Sequence, residues 1–232
     1  MTSPVDIMAI HMRFRRMWSL LGCQGDPDPA FADLRKRYAE THRAYHTLEH
    51  IEDCLLQLEA ACPRMPAFQL AERAEVEAVL FWHDAVYDIS STDNEERSAE
   101  LANDALRNAG LGDDSRGRIL NGILATKHSS QHQLSGLASL IVDIDLSILG
   151  SGPERYARYR EGIENEYRFG DRISERDYLG GRIQFLANML VSQEKNPEGS
   201  LFQTAHFRAR YHDTAVRNMR NEIAILDVRL NH

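Results

Sequence analysis

Apolar residues recur at three- and four-residue steps along almost the whole chain, and strict alternation of apolar with polar residues is nearly absent. A helix buries one face at that spacing, whereas a half-buried strand needs a period of two, so the pattern predicts an all-α fold. Between Phe68 and Ala85, the residues Ala71, Ala74, Ala78, Phe81, Trp82 and Ala85 make one such stripe. Val216, Met219, Ile223, Leu226 and Leu230 make another near the C-terminus. Further helices are predicted over 5–21, 29–41, 46–61, 94–109, 114–128, 153–168, 174–191 and 204–230. The run from Leu137 to Leu149 fits a helix or a buried strand, and its helical surroundings favour the helix. Turn residues cluster between these segments, as at Gly25 to Pro29, Gly110 to Asp114 and Gly150 to Pro153. Thr92 or Asp93, ahead of Glu95 and Glu96, reads as an N-cap followed by acidic residues that suit a helix N-terminus. None of the breaks is long or polar enough for a linker, so residues 1–232 are expected to form one bundle of about ten helices.

Composition narrows the class further. Hydrophobic residues at 43% and charged ones at 27% are those of an ordinary globular chain, which argues against disorder and fibrous folds. No stretch reaches the roughly 18 apolar residues of a membrane span, and the N-terminal segment lacks the apolar core of a secretory signal. With 27 Lys and Arg against 35 Asp and Glu, the net charge of −8 disfavours a broad nucleic-acid or anionic-membrane surface. Cys23, Cys54 and Cys62 form neither a CxxC pair nor an even disulfide set, so reduced thiols and a cytoplasmic location are expected. The oligomeric state is not encoded in any of these features.

The chain's ten histidines carry most of the chemical information. His46 and His50 stand four apart in RAYHTLEHIEDCL, which on a helix places both imidazoles on one face. They are half of a metal or acid–base site, or a polar pair beside the core stripe of Leu48, Ile51, Leu55 and Leu58. His83 and Asp84 interrupt an apolar helix end, FWHDAVYD. Burying an imidazole and a carboxylate there calls for a partner, which a divalent cation supplies; a simple His–Asp hydrogen bond at the helix terminus is the other explanation. Asp143 and Asp145 lie inside the apolar run, where two carboxylates repel unless a positive charge is near. One of them is therefore a candidate ligand.

The ordered set of His50, His83-Asp84 and an Asp near 145 resembles the HD superfamily of metal-dependent phosphohydrolases, defined by H…HD…D on an all-helical core. The segments YHTLEHI (Tyr45 to Ile51), FWHDAVYD (Phe81 to Asp88), NEERSA (Asn94 to Ala99), ATKH (Ala125 to His128) and DIDLSILG (Asp143 to Gly150) also resemble, in order, a predicted phosphohydrolase family within it. The resemblance spans roughly residues 40–150, with the helices of 153–230 expected to pack on that core. It implies an HD-domain helical bundle in which His50, His83, Asp84 and Asp145 bind one divalent ion, Mn, Mg, Co, Ni, Zn or Fe. Asp145 is chosen over Asp143 because it immediately precedes the LSILG stretch.

By analogy with the cyclic-nucleotide phosphodiesterase branch, His46 is a candidate general acid. Lys127 and His128 are candidate contacts for substrate phosphate, and Glu95 and Asp88 candidate bases or outer partners of the site. The implied activity is hydrolysis of a small phosphate ester, plausibly a nucleotide, either a monoester or a cyclic diester. A nucleotide-sensing module without catalysis and an iron-dependent oxygenase on the same scaffold are the alternatives. Ser98 stands where two-iron members tend to carry an additional His, which favours a single metal. His212-Asp213 reads as a surface or capping pair, Cys54 as a buried helical thiol, and Arg13, Arg15 and Arg16 as a solvated helix face.

Overall fold

The computed structural model describes residues 5–64, 68–127, 136–171, 173–195 and 199–231. Among them the fold is all-helical, with ten α-helices and no strand. In chain order these are α1 (Ile7–Leu20), α2 (Asp28–Arg37), α3 (Leu48–Ala61), α4 (Leu70–Trp82), α5 (Asn94–Asn108), α6 (Asp113–Ala125), α7 (Leu137–Leu146), α8 (Pro153–Tyr167), α9 (Glu175–Lys195) and α10 (Ala205–Leu230). The ambiguous run of Leu137 to Leu149 is helical, and passes after Leu146 into a 3-10 turn over Ser147–Gly150. None of the described helices is long and apolar enough to cross a membrane.

Helix α4 forms the axis of the bundle, packed against α1, α3, α5, α6 and α7. Its residues from Ala74 to Trp82 are all buried, so its interior half is enclosed on every side rather than along one stripe, while Ala71 is exposed. That enclosure includes two carboxylates, and each has a cationic partner. Glu75 pairs with Arg118 of α6, and Glu77 with Arg13 of α1. Phe14 of α1 closes the other side, its ring centroid 5.0 Å from that of Phe81 and 5.4 Å from that of Trp82. Buried residues of all ten helices join in one apolar cluster.

Two close approaches fix the neighbours of α4 and α7. A Cβ on Gly122 of α6 would stand 2.6 Å from Val79 Cγ2, so only glycine lets α6 lie this near α4. A Cβ on Gly150 would stand 2.6 Å from the Tyr211 carbonyl oxygen, which brings the turn after α7 against α10. Asp143 locks the same junction. It is fully buried, and its two oxygens accept from the backbone amides of Gln203 and Thr204, both at 2.7 Å, at the N-terminus of α10. Burial pushes its carboxyl up to about 6 despite those two bonds.

Three boundaries differ from the sequence expectation, each near the predicted site. Helix α3 starts at Leu48 because Thr47 caps it, its hydroxyl accepting from the amide of Glu49. His46 therefore precedes the helix instead of sharing a face with His50. Helix α4 stops at Trp82, so His83 is its C-cap and Asp84 and Ala85 lie in the turn beyond. Helix α6 stops at Ala125, leaving Lys127 past its end, and His128 lies outside the described residues.

Candidate metal centre

The four predicted ligands come from three elements and converge. His50 projects from the first turn of α3, His83 and Asp84 from the end of α4, and Asp145 from the last turn of α7. The Nε2 atoms of His50 and His83 face each other at 3.1 Å. Asp84 Oδ2 lies 3.4 Å from the first and 3.0 Å from the second; Asp145 Oδ1 lies 3.3 Å and 3.6 Å from them. Donors that share one cation at about 2.0–2.2 Å stand roughly 3.0–3.6 Å from one another, so these spacings fit a common ion. Both imidazoles are buried, while the two carboxylates keep a small exposed edge toward an adjoining cavity.

Local structure prepares the donors. His83 Nδ1 lies 3.0 Å from the carbonyl oxygen of Leu80 and donates to it, which leaves the Nε2 lone pair aimed inward. Burial opposes a positive charge on His83, but Asp84 and Asp145 outweigh it and hold the imidazole well above its ordinary pKa. Burial likewise opposes charge on His50, and Cys54, Tyr45, Asp145 and Asp84 together reverse that. Burial works against ionisation of Asp84 too, yet His83 and His46 keep its carboxyl well below the usual range. The field of the cluster thus favours net positive charge at its centre, which protons or a metal cation can provide.

His50, Cys54, His83 and Asp145 form a buried group whose donor atoms lie within 4.8 Å of one another, and such a group could hold a metal ion. Cys54 is the buried helical thiol expected, one turn beyond His50 on α3. Its sulfur is 3.7 Å from Nε2 and 3.8 Å from Nδ1 of His50. Near-equidistance from the two ring nitrogens puts the sulfur beside the imidazole rather than ahead of the Nε2 lone pair. Asp84 Oδ2, at 3.4 Å, lies nearer His50 Nε2 than the sulfur does.

A cavity of about 800 Å³ opens from the cluster. His46, Asp84, Glu95, Lys127 and Asp145 all line it. His46 is held by Glu166, a residue of α8 that the sequence reading missed. The imidazole Nδ1 lies 2.7 Å from Glu166 Oε2 and donates to it, while Oε1 accepts from the backbone amides of Ala44, Tyr45 and His46 at 2.7–2.8 Å. The Tyr87 hydroxyl also donates to Oε2, at 3.1 Å. Burial alone would raise the Glu166 carboxyl; His46 and the backbone amides overcome this and bring it down to about 2.

Arg43 was also missed. Its guanidinium donates to the carbonyl oxygens of His46 (3.1 Å), Asp84 (2.7 Å) and Ala85 (3.1 Å), tying the segment before α3 to the turn after α4.

The other predicted residues are placed differently. Lys127 pairs with Glu96 beside the cavity. Asp88 is not among the described lining residues of that cavity; its carboxylate accepts from the amide (3.0 Å) and hydroxyl (2.6 Å) of Ser90, so it shapes the turn before α5. Ser98 is fully buried and accepts from the Val86 amide at 3.0 Å, which fixes the turn carrying His83 and Asp84. His212, one of the pair read as surface or capping, meets the Ser200 hydroxyl at 3.2 Å. Comparison with protein-family models, with curated protein sequences and with solved structures gave no match.

Proposed function

We propose that the chain is a divalent-metal-dependent phosphohydrolase acting on a small phosphate ester, with nucleotides among the candidate substrates. The observation that carries this reading is the convergence of His50, His83, Asp84 and Asp145 at the wall of a cavity that also holds a carboxylate-supported imidazole. A divalent cation bound by these four residues would supply Lewis acidity toward a phosphoryl oxygen and lower the pKa of a coordinated water.

The chain's own groups supply the remainder. Glu166 accepts the Nδ1 proton of His46 in a hydrogen bond and turns Nε2 toward the cavity; in the imidazolium form, which carries a proton on both nitrogens, Nε2 delivers its proton to the departing alkoxide and His46 is left neutral. Lys127 brings a positive charge to the same cavity, suited to an anionic ester, and its contact with Glu96 orients the ammonium. Glu95, also in the cavity lining, is placed to accept a proton or to orient water. The His50, His83, Asp84 and Asp145 set, complete and with compatible spacings, supports an enzyme over a sensor.

The test is a screen of phosphorylated metabolites with purified protein and added Mn²⁺, Mg²⁺, Co²⁺ or Ni²⁺, run beside Asp84→Ala. Metal-dependent release of phosphate by the wild type, lost together with bound metal in the variant while the helical fold persists, is the expected outcome. Equal turnover and equal metal content in the variant would contradict the assignment.

A further inference from the structure

The cavity beside the candidate metal centre has two unlike walls. Residues contributed by the chain up to Lys127 all carry polar atoms, among them His46, Asp84, Asn94, Glu95, Thr126 and Lys127. The described residues that the turn after α7, helix α8, the segment before α9 and α9 itself add are mostly apolar or aromatic; Leu149, Ile163, Ile173 and Phe185 have no polar side-chain atom, while the tyrosines there, Tyr178 among them, present rings that end in a hydroxyl. Two charged groups on that side already have partners. Asp177 Oδ2 accepts from the Ser174 hydroxyl at 2.6 Å; Arg182 donates to Glu222 at 2.9 Å and to the Tyr159 hydroxyl at 3.1 Å.

A second observation points to an occupant. Tyr178, Gly181 and Phe185 follow one another at three- and four-residue steps along α9, so they share the helix face that lines the cavity. Glycine inside a helix costs about 0.5–1 kcal/mol relative to alanine and is normally repaid by close packing. Apart from its chain neighbours and the backbone of its own helix, no described atom comes within 4 Å of a Cβ built on Gly181, so packing against other parts of the protein does not require glycine there. The space it leaves open belongs to the cavity. Phe185, one turn on, is 38% exposed on the same lining, an apolar surface without full protein cover.

We propose that this α9 face, with Ile163 and Ile173, binds the organic part of the substrate, and that this part is an apolar alkyl or aryl group rather than a sugar or polyol, which removes nucleotides from the candidate esters. Ligand hydroxyl groups against Ile163, Ile173 or Phe185 would lose hydrogen bonds to water without replacement, whereas each methylene or ring carbon placed there is removed from water. The proposal rests on the phosphohydrolase reading only for the phosphate end of the ligand.

Isothermal titration of Mn²⁺-loaded protein with ethylphosphonate, hexylphosphonate and 1-naphthylmethylphosphonate tests it. Four added methylenes are expected to tighten binding roughly thirtyfold or more. The naphthyl arm tells whether a ring or a chain fits better. Gly181→Leu should collapse the hexyl-to-ethyl affinity ratio toward unity. Gly181→Ala, which favours the helix, should fold at least as well as the wild type and reduce the ratio in part, so a misfolded leucine variant does not end the test. Equal affinities across the wild-type series, or tighter binding of glycerol 3-phosphate or a nucleoside monophosphate than of both apolar probes, would overturn the proposal. Hydrolysis of 1-naphthyl phosphate by the same preparation reports on the reaction separately. Tight hexylphosphonate binding without turnover upholds the apolar wall and refutes the phosphohydrolase.

Discussion

His46 and His50 illustrate how much a residue's role depends on the partner of its second nitrogen. Both are imidazoles beside the same cavity, yet His50 turns Nε2 toward His83 and two carboxylates, while His46 gives Nδ1 to Glu166. His46→Gln should therefore lower turnover by roughly 10²–10⁴-fold with metal content kept, as measured by steady-state kinetics and metal analysis. An aryl phosphate, whose leaving group departs without a proton, should suffer less than an alkyl ester. Glu166 makes a stability prediction as well. Its folded pKa of about 2 lies below its ordinary 4.5, so its ionised form stabilises the fold above pH 4.5, and that contribution is lost as pH falls from 4.5 through 2. A depression of this size corresponds to about 3 kcal/mol. Denaturant titrations of Glu166→Gln should show a deficit near that value at neutral pH that shrinks toward pH 2; a deficit independent of pH would contradict this.

The spacing of four in YHTLEHI marked a real pair at the element scale, although for another reason than a shared helix face. Thr47 ends a run of turns and starts α3, so His46 reaches the cavity from a loop that Glu166 and Arg43 hold in place. Glu166 is 120 residues from His46 in the chain, and Arg43 acts through its guanidinium on backbone carbonyls, so no local pattern could reveal either. By contrast, His83-Asp84 was legible because two polar residues in an apolar helix end demand a partner. Asp88 looked similar in sequence, but its neighbour Ser90 lets it close a turn.

The two aspartates of α7 give the sharpest contrast. Asp143→Ala should destabilise the fold by about 1–2 kcal/mol through loss of its bonds to the Gln203 and Thr204 amides ahead of α10, with metal affinity retained. Asp145→Ala should do the reverse. Thermal melts and metal titration of the pair of variants decide it, and matching effects in both would undo the distinction between them.

For the whole molecule, helical periodicity was enough to read an all-α bundle, because every helix but α4 and α7 keeps a clear exposed side that shows the repeat; α7 has no exposed residue, which is why its run fitted a helix or a buried strand. Enclosed from Ala74 to Trp82, α4 was still legible as a helix, but its central place in the bundle was not. The cavity was hidden for a related reason: it forms only where α8 and α9 close over the turns after α4 and α6, a contact between distant parts of the chain. The donor cluster at its wall is the feature on which the proposed reaction rests. Crystals grown with Mn²⁺ and measured at a wavelength that excites its anomalous signal test that cluster directly. One anomalous peak bonded to His50 Nε2, His83 Nε2, Asp84 and Asp145 is the predicted result; a peak elsewhere, or none at this cluster at saturating Mn²⁺, would contradict it.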